Sequence, residues 1–261
     1  MIVTIAIDSW KGCLDSLDAA RAIETGLRRV CPDLEARLSP LADGGEGTVE
    51  ALTTGMGGCM ETALVSDPLG RKISASYGIL EENKTAVIEM AAAAGLPLLS
   101  KEERNPLHTT TYGVGELIRD AIRKGCRHFI VGIGGSATND GGVGMLSALG
   151  FEFLDKSGQP VRNGAAGLAD LAEIRSGHVL PVLKECTFRV ACDVENSLCG
   201  ELGCSCVFGP QKGADEKSIR QMDQWLFSYA QLTKEHFLQA DENCPGAGAA
   251  GGLGFAFQSY L

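Results

Sequence analysis

Gly132-Ile-Gly-Gly-Ser-Ala-Thr-Asn-Asp-Gly-Gly142 is the stretch of this chain best equipped for chemistry, and it directly follows the apolar run Phe129-Ile-Val-Gly-Ile133. A strand that empties into such a loop, with its five glycines, lets backbone N–H groups approach a ligand closely. Ser136, Thr138 and Asn139 add neutral donors, and Asp140 adds a carboxylate. The helix-like segment Val143–Leu149 comes next, so its first N–H groups would point back at the loop. Anion binding with an acid alongside is the chemistry this favours, phosphate chemistry in particular.

Three more polar segments belong beside it. Asp8 ends the apolar run Ile2–Ile7, and Lys11 follows three residues later; taken alone, Lys11 reads better as a solvated lysine. Asp43-Gly-Gly-Glu-Gly-Thr48 is either an ordinary Asp-Gly turn or a ligand or magnesium loop presenting Asp43, Gly44, Gly45 and Glu46. Phe208-Gly-Pro-Gln-Lys-Gly213 offers Gln211 and Lys212, with a plain helix-entry turn as the alternative. Asp193 closes the run Thr187–Cys192 as Asp8 closes the first. A lone strand-end aspartate is often only a turn former, but several such acids in one chain point to a shared site.

The elements that must position these residues alternate. Ser16 reads as the N-cap of a helix with Leu17, Ala20, Ile23, Leu27 and Val30 on one stripe, stopped by Pro32. Val49–Thr53 continues as helix, and residues 60–91 read as β-rich with a turn at Asp67–Gly70. Val114, Leu117, Ile118, Ala121 and Ile122 mark an amphipathic helix ended at Gly125. Arg127–Ile133, Phe151–Leu154 and Thr187–Cys192 read as strands, and Asp215 to about Leu238 as a long helix. This order predicts an α/β fold, two domains with largely parallel or mixed sheets flanked by helices. Such sheets take ligands beyond the carboxyl ends of their strands, where Asp8, the Gly132–Gly142 loop and Asp193 fall.

Composition narrows the classes. With 23 basic and 33 acidic residues the formal charge is −10, which argues against a sequence-independent nucleic-acid binder but not against a small anion bound locally. The apolar runs fall far short of the roughly 20 residues of a membrane span, and residues 1–7 lack a signal-peptide pattern, so a cytoplasmic protein is expected. Ten cysteines without an export signal read as scattered thiols; Cys192, Cys199, Cys204 and Cys206 cluster, but with no C-x-x-C pair and no nearby histidine for zinc. Gly246-Ala-Gly-Ala-Ala-Gly251 matches G-x-G-x-x-G only in letters, because no strand precedes it and no acid follows at the required distance. No Walker A loop and no G-x-S-x-G elbow occurs.

Asp8-Ser-Trp-Lys-Gly12, Asp43–Thr48, Arg104-Asn-Pro106, Gly132–Gly142, Ala191-Cys-Asp-Val194, Phe208–Ala214 and Pro245–Gly252 come in an order that resembles bacterial glycerate kinases of the glycerate kinase I type, from residue 2 to about residue 255. The resemblance implies a two-domain α/β kinase that moves the γ-phosphoryl group of ATP, with Mg2+, onto a hydroxyl of D-glycerate, 2-phosphoglycerate being the favoured product. Small molecules are then its partners, with no nucleic acid and no membrane. It implies that Lys11 and Lys212 neutralise phosphate or the substrate carboxylate, and that Gly134, Gly135, Ser136 and Asn139 cradle phosphate oxygens. Asp193 is favoured as the base, with Asp8 beside it, and Asp140 and Asp43 would hold Mg2+. Members of that family continue well past the position of Leu261. The expected division is therefore an incomplete first domain over 1–75, a second over 76–253 and a return toward the first over 254–261, with a non-catalytic binding fragment as the alternative to an active kinase.

Overall fold

The computed structural model describes residues 1–8, 10, 13–14, 16–41 and 47–261. Lys11, Asp43, Gly44, Gly45 and Glu46 therefore lie outside the described residues. In chain order the elements are β1 (Ile2–Ile7), α1 (Ser16–Val30), β2 (Glu35–Pro40), α2 (Thr48–Gly55), β3 (Cys59–Ser66), β4 (Lys72–Leu80), β5 (Thr85–Glu89), α3 (Ala91–Ala94), α4 (Tyr112–Arg123), β6 (His128–Gly132), α5 (Val143–Ala148), β7 (Glu152–Asp155), β8 (Leu171–Arg175), β9 (Thr187–Ala191), α6 (Cys204–Phe208), α7 (Glu216–His236) and α8 (Ala249–Tyr260). β1 and β2 pair in parallel. A five-stranded mixed sheet has the order β3-β4-β5-β6-β9, and β7-β8 form a small antiparallel pair.

The large sheet follows from its residues. β5 and β6 are almost wholly apolar, as strands covered on both faces must be. Their two-residue period sends Ala86, Ile88, Phe129 and Val131 into the main core, while Val87 and Ile130 meet Val49, Leu52 and Leu80 on the opposite face under α2. Val114, Leu117, Ile118 and Ala121 form the buried stripe of α4, all fully buried. Gly125 then ends that helix at φ +94°. At α7 the cap is the Asp215 side chain, which accepts the Ser218 N–H at 2.8 Å.

Two expected boundaries move. Cys59 pairs with Ile79 and Ser66 with Lys72, so β3 and β4 belong to the five-stranded sheet and no divide falls at residue 75. Residues 254–261 do not return toward the first unit either. They complete α8, whose Phe255 and Tyr260 sit edge-on to Tyr229 and Phe151 at ring-centroid distances of 5.5 and 5.2 Å, inside the main core. Each such buried aromatic contributes about 1.5–3 kcal/mol by burial.

Candidate active site

β5, β6 and β9 run parallel, with Glu89 beside Gly132 and Gly132 beside Ala191 at their carboxyl ends. Beyond that edge lies a cavity of about 480 Å³. Gly134, Gly135, Ser136, Asp193, Gln211 and Lys212 all line it, although they come from three separate loops. The structure thus brings together six of the residues singled out from the sequence, at the carboxyl edge where parallel sheets take ligands.

The Gly132–Gly142 loop is held on every side. Leu96 N–H donates to Gly135 O at 2.9 Å, Ala137 N–H to Ala94 O at 2.8 Å, and the Thr109 hydroxyl to Ala137 O at 2.7 Å. The glycine string near residue 250 explains itself here. Gly141 N–H donates to Gly251 O at 3.0 Å, and a Cβ on Gly251 (φ +67°) would stand 2.1 Å from Thr138 O. That string packs one loop onto another at a distance no side chain permits, and Ala249 and Ala250 become cavity wall.

Lys212 is the electrostatic centre. Its turn, Pro210–Lys212, ends at Gly213 with φ +91°, where a Cβ would meet Arg104 O at 2.2 Å. The side chain is 1% exposed. Its ammonium donates to Ser136 Oγ at 2.8 Å and to Thr138 O at 2.6 Å. Both acceptors are neutral, and among the described residues no carboxylate reaches ion-pair distance. Burial pushes the Lys212 pKa down to about 8, against a weaker upward pull from Cys204 and Asp140. Lys212 is thus a buried cation on the wall of the cavity whose partners, among the described residues, are neutral oxygens.

Other expected site residues have different work. Asp140, 1% exposed, accepts from the Thr110 and Thr111 hydroxyls and from the N–H groups of Thr111, Gly142 and Gly144. It faces a separate cavity of about 200 Å³ and not the main one. Five donors among the described residues surround the oxygens that were expected to hold Mg2+. The first N–H groups of α5 are met internally: Val143 donates to Asp140 O, Gly144 to the Asp140 carboxylate and Met145 to the Thr111 hydroxyl. Burial still pushes the Asp140 carboxyl above the usual carboxylate range, with the donors opposing.

Asn139 is buried, donates to Ser205 Oγ of α6 at 2.9 Å and does not line the cavity. Asp8 stands half-buried at the end of β1 and is not part of the cavity lining. Cys204 Sγ donates to Leu198 O at 3.2 Å, and no group of three metal-capable side chains exists among the described residues, so the cysteine cluster is a set of free thiols. No described helix is long and apolar enough to cross a membrane.

Sequence reasoning missed Glu89. It lines the cavity at the end of β5, and its Oε1 accepts the Val49 N–H at 2.9 Å. The signal was available: Glu89 closes its strand as Asp8 and Asp193 close theirs, but it lacks a flanking glycine-rich loop.

Comparison with known proteins agrees with this geometry. Residues 3–261 match the profile described as the Glycerate kinase family. The chain is 48% identical over 261 residues to the glycerate 2-kinase of Escherichia coli K12, and 47% over 259 residues to a glycerate kinase of Halalkalibacterium halodurans. It is covered to 100% and 99% in these alignments and spans 68% of the length of each relative. A crystal structure described as glycerate kinase 2 from Salmonella typhimurium LT2 superposes with a TM-score of 0.94 at 45% identity, over all of this chain and 70% of that one. The mixed α/β fold, the cavity at the strand ends and these relatives agree: the chain belongs to the glycerate kinase family.

Proposed function

We propose that this chain carries the phosphotransfer site of an ATP-dependent glycerate kinase, which moves the γ-phosphoryl group onto a hydroxyl of D-glycerate. The relative named glycerate 2-kinase supports 2-phosphoglycerate as the product. One observation carries the reading: the buried Lys212 ammonium, whose partners among the described residues are neutral, on the wall of a cavity that Gly134 and Gly135 line.

Phosphoryl transfer needs positioning and charge stabilisation more than covalent help. Lys212 supplies fixed positive charge for a phosphate or carboxylate oxygen, and Ser136, oriented by Lys212, offers its hydroxyl beside it. Gly134 and Gly135 admit the anion to the backbone. Asp193, exposed on the cavity rim, accepts the proton of the attacking hydroxyl. Carboxylates at such a rim suit Mg2+, which takes one or two of them alongside phosphate oxygens. Bound there, Mg2+ would neutralise charge on the transferring group. Asp43 is kept for that ion, and Lys11 and Asp8 for the charge around the phosphates. The substrates are small polar metabolites, which fits a cytoplasmic enzyme.

An ADP-release assay with D-glycerate, ATP and Mg2+ tests the reading. Asp193→Asn should lower kcat by about a thousandfold, within the range of a lost general base, and leave Tm unchanged because Asp193 is exposed. A wild-type chain that binds D-glycerate and ATP without releasing ADP would reduce the site to a binding site.

A further inference from the structure

Glu89 links the cavity to the first part of the chain. α2 has no side-chain cap of its own: Gly47 occupies the N-cap position at φ +92°. Its first turn is served from a strand 40 residues away, where the Glu89 carboxylate accepts the Val49 N–H at 2.9 Å. The same side chain lines the cavity that holds Lys212 and Asp193.

Two kinds of contact hold α2, and they divide the labour. Val49 and Leu52 dock on Leu80, Val87 and Ile130, which secures the helix against the sheet. The Glu89 bond reaches the first turn, at Val49. A carboxylate at a helix N-terminus also meets the positive end of the helix dipole.

We propose that Glu89 is a positioning residue of the phosphotransfer site, capping α2 from the neighbouring strand and so tying the first turn of that helix to the carboxyl end of β5, where the cavity begins. The proposal rests on the kinase reading for its consequence, though the anchor itself can be measured without turnover.

The test uses Glu89→Ala and Glu89→Gln in the full chain. Glutamine keeps an oxygen that can accept the Val49 N–H but loses the charge; alanine loses both. Glu89→Ala should lower kcat/KM for D-glycerate by about thirtyfold, as small misplacements of reacting groups do. Its Tm should shift only slightly, because the apolar docking of α2 remains. Glu89→Gln should stay close to wild type. Amide exchange at Val49 reads the anchor directly: about tenfold faster exchange is expected in Glu89→Ala and wild-type exchange in Glu89→Gln. Equal exchange in all three proteins overturns the proposal, as does a Glu89→Gln enzyme as impaired as Glu89→Ala, which would make the charge itself the working part. An inactive wild-type chain would count against the kinase reading, and the exchange rates would still decide the anchor.

Discussion

Lys212→Met should abolish most of the kinase activity while leaving the protein at least as stable as before, a combination that an ordinary core lysine would not give. The ammonium is buried with Ser136 Oγ and Thr138 O as its partners, both neutral. Removing a preorganised donor from a developing anion costs about 10²–10³ in rate, and a full positive charge belongs at the upper end of that range. Stability moves the other way. The Lys212 pKa falls from 10.5 to about 8 on burial, so folding must hold a charge that the site disfavours. By linkage that burden is about 3 kcal/mol below pH 8, net of what the folded site gives the ammonium.

The sign with pH follows. Between about pH 8 and 10.5 the folded protein releases this proton while the unfolded chain still holds it, so wild-type stability gains a rising contribution across that window. Lys212→Met lacks that contribution. Affinity for an anionic substrate runs opposite: it is full below pH 8 and declines as the ammonium deprotonates above it. Melting curves of both proteins from pH 7 to 10, with D-glycerate titrations at the same values, check both signs. A Lys212→Met protein that melts several degrees lower at neutral pH and keeps its turnover would make Lys212 a structural residue.

Much of this site was legible in the sequence because it is built from backbone punctuation. Glycine-rich loops after apolar runs located the carboxyl edge, and Gly134, Gly135, Ser136, Asp193, Gln211 and Lys212 fell on one cavity. What the sequence could not show was direction. Asp140 sits in the same loop as Ser136, four residues on, yet turns toward Thr110 and Thr111, because a buried loop must satisfy its own N–H groups before it serves a ligand. Glu89 was hidden for the opposite reason, since its partner Val49 is 40 residues away and no local pattern records it. β2 went unpredicted although Glu35–Ser39 alternates polar and apolar residues, because the run is short, ends in Pro40 and pairs with β1 over a long sequence distance. The role of α8 was likewise masked by its glycine-rich start, although its aromatic residues close the core.

Asp140→Asn separates the two meanings an acid in a glycine-rich loop can have. As a metal ligand, Asp140 would tie its loss to a higher Mg2+ requirement at unchanged Tm. As the internal anion the structure describes, its loss should unfold the protein more readily at any Mg2+ concentration. Five donors converge on its two oxygens. An asparagine keeps one acceptor oxygen and turns an NH2 group toward N–H and O–H donors, leaving some of them buried and unmet. Breaking such a buried charged network costs about 3–5 kcal/mol, which for a chain of this size lowers Tm by roughly 10 °C. The damage should reach the active site as well, because Asp140 sits two residues from Thr138, whose carbonyl holds Lys212. Activity should therefore fall with the loss of stability, and added Mg2+ should not restore it. Rescue by Mg2+ at wild-type Tm would return Asp140 to the metal and reopen the reading of this loop as an external anion site.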